Sequence, residues 1–122
     1  MTTSFKDIKA WQFAHEFVLL VYDKSANFPD FERFGLRSQF TRAAVSIPAN
    51  IAEGYRKLGK ADKLRFLNTS QGSLEECRYY ILLSYDLSYI DSDRYNNMNQ
   101  SIEEVSRILN AYYRGIKERN YL

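Results

Sequence analysis

Apolar residues recur at intervals of three and four along almost the whole chain, and this spacing restricts the fold more than any other feature. The last segment shows it most clearly, in Tyr95, Met98, Ile102, Val105, Leu109, Tyr112 and Ile116. A stripe of this kind covers one face of an α-helix. Similar stripes occur in three earlier segments, and no segment alternates as a half-buried β-strand does. The sequence therefore predicts an all-α fold.

The stripes predict four helices, separated by short links. Their predicted bounds are about 5–26, 36–57, 61–87 and 92–117. At 1.5 Å per residue each helix is roughly 30 to 40 Å long. Short links favour antiparallel neighbours, so we expect an up-down-up-down antiparallel four-helix bundle. The length of 122 residues favours a single domain, 1–122.

Local signals mark the ends of these helices and one irregularity inside them. Ser4 followed by Asp7 matches a weak capping box at the start of the first helix. Asp91 or Ser92 is placed to cap the last helix. Pro48 lies inside the second helix, where it removes one hydrogen bond. We expect a bend there, and a break into two helices is the alternative.

The connector between the first and second helices contains Pro29 and Gly35, which are typical of a turn. It also contains three phenylalanines, Phe28, Phe31 and Phe34. We expect all three rings to fix the connector across one end of the core.

Composition excludes several classes of protein. The chain is 45% hydrophobic with a formal net charge of +2, so it is expected to fold and not to coat a polyanion through bulk charge. The one cysteine, Cys77, forms no intrachain disulfide. The first ten residues carry three charges and resemble no secretory leader, and no apolar run of about 18 residues could span a membrane. We expect a cytoplasmic protein.

The second predicted helix has too few charged positions for a helix exposed on one side. An outward arc of small or apolar residues comprises Thr41, Val45, Pro48, Ala49 and Ala52. A helix without a charged outer face is usually covered on both sides. The apolar arc of the first helix is also wider than a bundle core needs. These arcs predict a subunit interface in a homo-oligomer, and a plain surface helix is the alternative.

A narrow polar stripe runs beside that arc and comprises Arg42, Ser46, Asn50 and Glu53. The structural interpretation is that the two charged residues pair with nearby helices or partner chains, while the other two satisfy backbone groups near the proline. The functional interpretation is a recognition or catalytic constellation. The structural interpretation is favoured, because neither Ser46 nor Asn50 has a base beside it in sequence.

Catalytic and metal-binding signatures are absent from the sequence. The one histidine, His15, lies on the apolar face of the first helix, which favours a packed or interface role. No Glu-x-x-His pair, phosphate-binding loop or nucleophile elbow occurs. We therefore expect no enzyme, no catalytic residue, no metal and no cofactor. Two alternatives stay open, namely a site assembled across chains and a small-ligand cavity near Gln71 and Arg78.

The strongest local charge signal lies between the second and third helices. Five basic residues fall within ten positions, namely Arg56, Lys57, Lys60, Lys63 and Arg65. Tyr55 and Phe66 flank them, an arrangement that suits phosphate contact and base stacking. The alternative is a solvated helix end. A weaker cluster closes the last helix and comprises Arg107, Arg114, Lys117 and Arg119.

Four segments, residues 5–11, 42–55, 66–68 and 72–76, carry a family resemblance. They resemble bacterial four-helix-bundle proteins encoded within 23S rRNA intervening sequences, most specifically in the stretch SIPANIAEG. The resemblance implies a ring, specifically a homopentamer, and a link to structured RNA. The family is similar in fold to accessory proteins of diversity-generating retroelements, which bind a reverse transcriptase and nucleic acid. The resemblance implies no catalytic residue.

Two functions follow as expectations. The first is a non-enzymatic oligomeric accessory protein that associates with structured RNA or with a nucleic-acid enzyme. The alternative is a protein-interaction scaffold that binds no nucleic acid.

Overall fold

The computed structural model describes residues 2–119, in which four α-helices and no strand occur. The helices are α1 (Lys9–Ser25), α2 (Leu36–Arg56), α3 (Lys60–Asp86) and α4 (Ser92–Glu118). The all-helical prediction is confirmed for these residues. The observed bounds of α2, α3 and α4 lie within one residue of the predicted ones.

Hydrogen bonds between neighbouring helices show that successive helices run antiparallel. The Ser70 hydroxyl donates to the Ile47 carbonyl at 2.9 Å, whereas Tyr80, later on α3, donates to Gln39, earlier on α2. The α3–α4 hydrogen bonds have the same reversed order, in the pairs Gln71–Asn110 and Arg78–Glu103. Each helix contacts the next one, and α1 also contacts α4. The four helices therefore enclose one core.

The core is built from the predicted apolar stripes on α2, α3 and α4, whereas the stripe predicted for α1 is wrong in part, because Leu19 and Tyr22 are exposed and the core side is formed by Ala10, Ala14, Phe17, Val18 and Val21. Phe17, Phe40, Ile47, Ile81 and Leu109 are fully buried and represent all four helices. Burying a side chain of this size contributes about 1.5 to 3 kcal/mol. Packing of these faces, more than intrinsic helix propensity, stabilises helices of this length.

The first predicted helix is interrupted near its start. Residues Phe5–Asp7 form a 3₁₀ turn, and Ile8 is extended before α1 begins. The predicted capping box is confirmed, because the Ser4 hydroxyl accepts from the Lys6 amide and the Asp7 carboxylate accepts from the Ser4 amide. It caps the 3₁₀ turn and not the long helix. At the other predicted cap, Asp91 accepts from the Arg94 amide at 2.9 Å.

Pro48 does not break the second helix, since α2 is continuous from Leu36 to Arg56. The break that was the alternative interpretation is therefore wrong. The proline ring is buried within the chain, so the prediction that it lies on an outward arc is also wrong. The hydrogen bond from Ser70 to Ile47 lies directly before the proline and ties this part of α2 to α3.

The connector between α1 and α2 differs from its prediction. Phe28 is buried, and its ring lies 5.3 Å from that of Tyr89. Phe31 and Phe34 are 77% and 87% exposed, so the prediction is wrong for these two rings. The short 3₁₀ turn Asp30–Glu32 follows Phe28, and of the three rings Phe28 alone is buried at this end of the core.

Glu32 holds the connector in place. One carboxylate oxygen accepts from the Leu36 amide at 3.0 Å, where α2 begins with unpaired amides. The other accepts from the Tyr89 hydroxyl at 2.8 Å, on the turn between α3 and α4. Gly35 lies against the same carboxylate, since a Cβ there would be 2.7 Å from its Oε1 atom. The two exposed rings are therefore carried by a fixed connector.

Candidate nucleic-acid interface

The predicted basic turn joins α2 to α3, and one of its lysines closes the end of α2. The Lys63 ammonium donates to the carbonyls of Gly54, at 3.4 Å, and Tyr55, at 2.9 Å. Carbonyls at a helix C-terminus have no partner within the helix, and a cation there also suits the helix dipole. Lys63 thus has a structural role in addition to any contact with a ligand.

Two more basic residues of the turn lie over an aromatic ring. The Lys57 ammonium is 4.9 Å from the centroid of Phe66, and the Arg65 guanidinium is 4.7 Å from it. Cation–π contacts of this kind are worth about 0.5 to 1 kcal/mol at exposed sites. Arg65 also forms an ion pair with Asp62 at 3.2 Å. These contacts orient both cations at the surface of the turn.

Arg56 and Lys60 complete the predicted set and differ in their partners. Arg56 is exposed and has no hydrogen-bond or ion-pair partner among residues 2–119. The Lys60 ammonium donates to the carbonyl of Arg119 at 3.0 Å. That contact places the C-terminal end of α4 beside the turn. The two basic clusters that the sequence predicts separately are therefore one surface in the fold, except for Arg107.

The N-terminal segment reaches the same surface. The Tyr55 hydroxyl donates to the carbonyl of Thr2 at 3.3 Å, which brings Lys6 and Lys9 to this end of the bundle. Both lysines are exposed. Sequence analysis missed them, because they lie some fifty residues from the turn and only the antiparallel fold brings them close.

The charges divide unevenly between the two ends of the bundle. We define the basic end as residues 2–9, 53–65 and 114–119, and the connector end as residues 22–38 and 85–95. The basic end holds ten of the 17 basic and four of the 15 acidic residues. The connector end holds four basic and six acidic residues. The small net charge of the chain thus conceals a strong asymmetry along the bundle axis.

The predicted polar stripe on α2 divides into two pairs. Ser46 and Asn50 are half-buried. The Asn50 side-chain amide donates to the Ser46 carbonyl, and the Ser73 hydroxyl on α3 donates to the Ser46 hydroxyl. Arg42 and Glu53 are exposed and form no ion pair within the part of the chain that the structure describes. The geometry fits the structural interpretation for the first pair, whereas the expected pairing of the second with nearby helices is not observed.

Arg42 and Ser46 also line an open groove between α2 and α3. Its other lining residues include Glu76 and Tyr80. The single Tyr80 hydroxyl proton is shared between the side-chain oxygens of Gln39 and Glu76, and burial, reinforced by the Glu76 carboxylate, raises the pKa of Tyr80. A tyrosine with a raised pKa keeps its proton at neutral pH and is a poor base. The groove brings together no nucleophile and base of the kind that covalent catalysis needs.

The predicted interface arc of α2 is only partly exposed within one chain. Val45 and Ala49 are exposed, whereas Thr41 and Ala52 are half-buried. On α1, Leu19 and Tyr22 are 56% and 47% exposed, as its wide apolar arc indicates. The outer surfaces of α1 and α2 therefore carry apolar side chains where a monomer is expected to carry charge.

The remaining reactive side chains form no catalytic constellation among residues 2–119. His15 is exposed to solvent, and its ring stacks on that of Trp11 at 5.0 Å between centroids. Burial raises the pKa of Cys77 and so keeps the thiol protonated. A pocket does lie at the position considered for a cavity, and its lining includes Gln71 and Arg78 but no tyrosine. Arg78 forms ion pairs there with Glu75 and Glu103.

Residues 2–119 contain no group of three or more His, Cys, Asp or Glu side chains arranged to hold a metal ion. Within the same part of the chain, none of the helices combines the length and apolarity that crossing a bilayer requires.

The fold and this surface define an antiparallel four-helix bundle with one strongly basic end. Comparison with known families matches residues 6–111 to the 23S rRNA-intervening sequence protein family, and the chain belongs to that family. A search of curated proteins found no match.

A crystal structure from Bacteroides thetaiotaomicron is similar to this chain. It is described as a protein of unknown function from the S23 ribosomal protein family. The TM-score is 0.79 at 24% identity, over 89% of this chain and 98% of the other. At this identity the likeness supports the fold alone.

Proposed function

We propose that this chain is a non-enzymatic, cytoplasmic accessory protein that acts as a homo-oligomer and binds structured RNA. The observation that carries the proposal is the concentration of ten basic residues at one end of the bundle against four acidic residues. The family name, which refers to an intervening sequence of 23S rRNA, supports RNA as the polyanion. A nucleic-acid enzyme is the alternative partner that the resemblance implies.

Binding at this end relies on local and not on overall charge. Each lysine or arginine that contacts a phosphate releases condensed counterions, which gives affinity without sequence specificity. Arg56 is available for such contacts without breaking any hydrogen bond of the fold. Lys57 and Arg65 lie over the Phe66 ring, and these cation–π contacts hold both cations at the surface of the turn.

A ring of subunits would repeat the basic end around one rim and raise affinity through multivalency. The exposed Val45, Ala49, Leu19 and Tyr22 support assembly through α1 and α2, and the resemblance implies a pentamer. Sedimentation at micromolar concentration is expected to show an oligomer, which Ala49→Glu dissociates by burying a charge between subunits. A clean wild-type monomer would contradict the ring.

The RNA proposal is tested by filter binding to a structured RNA across a salt series. The variant Arg56→Gln/Lys57→Gln removes two cations without disturbing the lysines that hold the helix ends. Affinity is expected to fall about 10- to 100-fold, and the slope of log affinity against log salt to decrease by about 1 to 2.

The matched control is Arg33→Gln/Arg94→Gln at the connector end. It removes the same net charge and is expected to leave the affinity within about twofold of wild type. Equal losses in both variants would show that overall charge and not the basic end is responsible. No binding by the wild-type protein would exclude the proposed function.

The second candidate function is a protein-interaction scaffold that binds no nucleic acid. It is favoured by Phe31 and Phe34, two exposed aromatic rings on a connector that Glu32 holds in place. Rigid exposed aromatics are typical of protein-binding hot spots. An oligomer that binds no RNA in the filter assay would favour this function over the first.

A further inference from the structure

The basic end offers phosphate-binding groups but no exposed aromatic surface. Among its described residues, Tyr55 is half-buried, and its hydroxyl is bonded to the Thr2 carbonyl. Phe66 follows Arg65 on α3, just outside the residues that define the basic end, and it is half-buried beneath Lys57 and Arg65. The most exposed apolar side chain of the turn is Leu58, at 94%, and it is aliphatic. Base stacking, which the sequence suggests, is therefore not favoured by the fold.

This lack of stacking surface bears on the form of RNA. Single-stranded RNA is recognised mainly by stacking its unpaired bases on exposed aromatic rings or guanidinium planes. Double-helical RNA is recognised mainly by shape and by contacts to phosphates and 2′-hydroxyl groups. The basic end does present exposed guanidinium groups, among them Arg56, but no exposed ring among its described residues, and a surface of this composition suits the second mode better than the first.

The arrangement of the cations points the same way. They come from three separate parts of the chain, held together by the Lys60–Arg119 and Tyr55–Thr2 hydrogen bonds. Packed helices lie about 8 to 10 Å apart. Cations on different helix ends therefore form a broad patch, which can contact phosphates of both strands of a duplex. A single row of cations along one helix would instead follow one strand.

We propose that the basic end binds the sugar–phosphate backbone of double-helical RNA, independently of sequence, and that Lys6, Lys9, Lys117 and Arg119 belong to the binding surface together with the turn. This inference rests on the proposed function and specifies which form of RNA is bound and through which residues. All four residues are exposed. Neither the Lys6 nor the Lys117 side chain forms a hydrogen bond or ion pair within residues 2–119.

The experiment compares two RNA probes of equal charge, a duplex of about 16 base pairs and an oligouridine of about 32 nucleotides. Affinities are measured by fluorescence anisotropy with the full-length protein over a salt series. We expect the duplex to bind at least about tenfold more tightly than oligouridine near physiological salt. A second duplex of scrambled sequence is expected to bind within about twofold of the first.

The variant Lys6→Gln/Lys117→Gln tests the extended surface. We expect duplex affinity to fall about tenfold and the salt slope to decrease by about 1 to 2, since each lost phosphate contact removes about one unit of slope. The charge-matched variant Arg33→Gln/Arg94→Gln at the connector end is expected to bind as wild type does. All four positions are exposed, so both variants should fold, and circular dichroism verifies this.

The outcomes separate this inference from the proposed function. Equal or tighter binding of oligouridine overturns the duplex preference and leaves RNA binding intact. An unchanged affinity for Lys6→Gln/Lys117→Gln restricts the surface to the turn and overturns the extension. Failure of both probes to bind overturns the proposed function together with the inference.

Discussion

The two ends of the bundle are both made of turns between helices, yet they are stabilised and exposed in opposite ways. At the basic end, Lys60 and Lys63 donate to backbone carbonyls, and the surface is dominated by cations. At the connector end, a carboxylate holds the turns in place, because Glu32 accepts hydrogen bonds from the Leu36 amide and the Tyr89 hydroxyl. That end leaves two phenylalanine rings in solvent.

The difference shows that charged residues clustered in the sequence do not all remain available as a binding surface in the folded protein. Of the five basic residues in the predicted turn, two are used to hold helix ends and only Arg56 lacks every contact among the described residues. Conversely, apolar residues in a connector need not be core. Phe28 and Phe31 are three residues apart, and they differ from buried to 77% exposed.

The largest expected effect tests this contrast within the connector. Phe28→Ala removes a buried ring and should lower the free energy of unfolding by about 3 to 5 kcal/mol. Phe31→Ala and Phe34→Ala should each change it by less than about 0.5 kcal/mol, since their rings lie in solvent. Urea denaturation at one protein concentration measures all three. A loss above about 2 kcal/mol for Phe34→Ala would show that another subunit covers this end.

A smaller effect tests how tightly the basic end is packed. A Cβ on Gly54 would lie 3.2 Å from the Phe66 Cβ and 3.4 Å from the Lys63 carbonyl oxygen. Gly54→Ala should therefore destabilise the protein by about 1 to 2 kcal/mol, despite the better helix propensity of alanine. Gly72→Ala is the matched control, because no atom lies within 4 Å of its added Cβ.

We expect Gly72→Ala to raise the free energy of unfolding by about 0.5 to 1 kcal/mol. The opposite signs of the two substitutions are the result to look for. If Gly54→Ala stabilises the protein as Gly72→Ala does, the close contact between the end of α2 and the start of α3 is not maintained in solution.

The smallest expected effect is a pH dependence of local stability that differs between the two ends of the bundle. The Thr3 amide, with other hydrogen bonds, lowers the pKa of Asp7 at the basic end. The contribution of the ionised Asp7 carboxylate to stability is therefore present above the ordinary carboxyl pKa of about 4, and it is lost as pH falls through the lowered pKa of Asp7. At the connector end, burial and the bond to Glu32 raise the pKa of Tyr89. That contribution is present below about pH 10 and is lost as pH rises through the raised value.

Acid should therefore loosen the N-terminal segment first, and alkali should loosen the connector first. Amide hydrogen exchange by NMR measures both, after correction for the intrinsic pH dependence of exchange. Asp7→Asn is expected to abolish the acid response and Tyr89→Phe the alkaline one. The same pH response in a variant and in the wild type would contradict the assigned group.

Much of the fold could be predicted from the sequence, because helical periodicity records which face of each helix is buried. The stripe ending at Ile116 and the turn residue Gly35 placed α4 and the start of α2 correctly to within one residue. The interruption at Ile8 was not predicted. Its apolar side chain continues the helical pattern, and only its extended backbone shows that the helix begins after it.

The candidate site was less predictable, because it depends on contacts between distant parts of the chain. The turn from Arg56 to Arg65 is visible as a charge cluster, whereas Lys6 joins it only through the antiparallel fold. The arc on α2 failed at Pro48 for a related reason. A helical wheel, with steps of 100° per residue, places Pro48 on the outward side of α2 but does not show whether its ring is covered. The structure shows the Pro48 ring buried.

The uneven distribution of charge makes the protein an electric dipole along its helix axes, and this has a kinetic consequence. In the field of a polyanion such a molecule rotates during its approach, so that the basic end arrives first. Encounters in the wrong orientation become rarer, which raises the association rate more than it slows dissociation. The association rate should then decrease steeply as salt shortens the range of the field to about 8 Å at physiological ionic strength. A chain with a net charge of only +2 would thereby approach a polyanion in a preferred orientation.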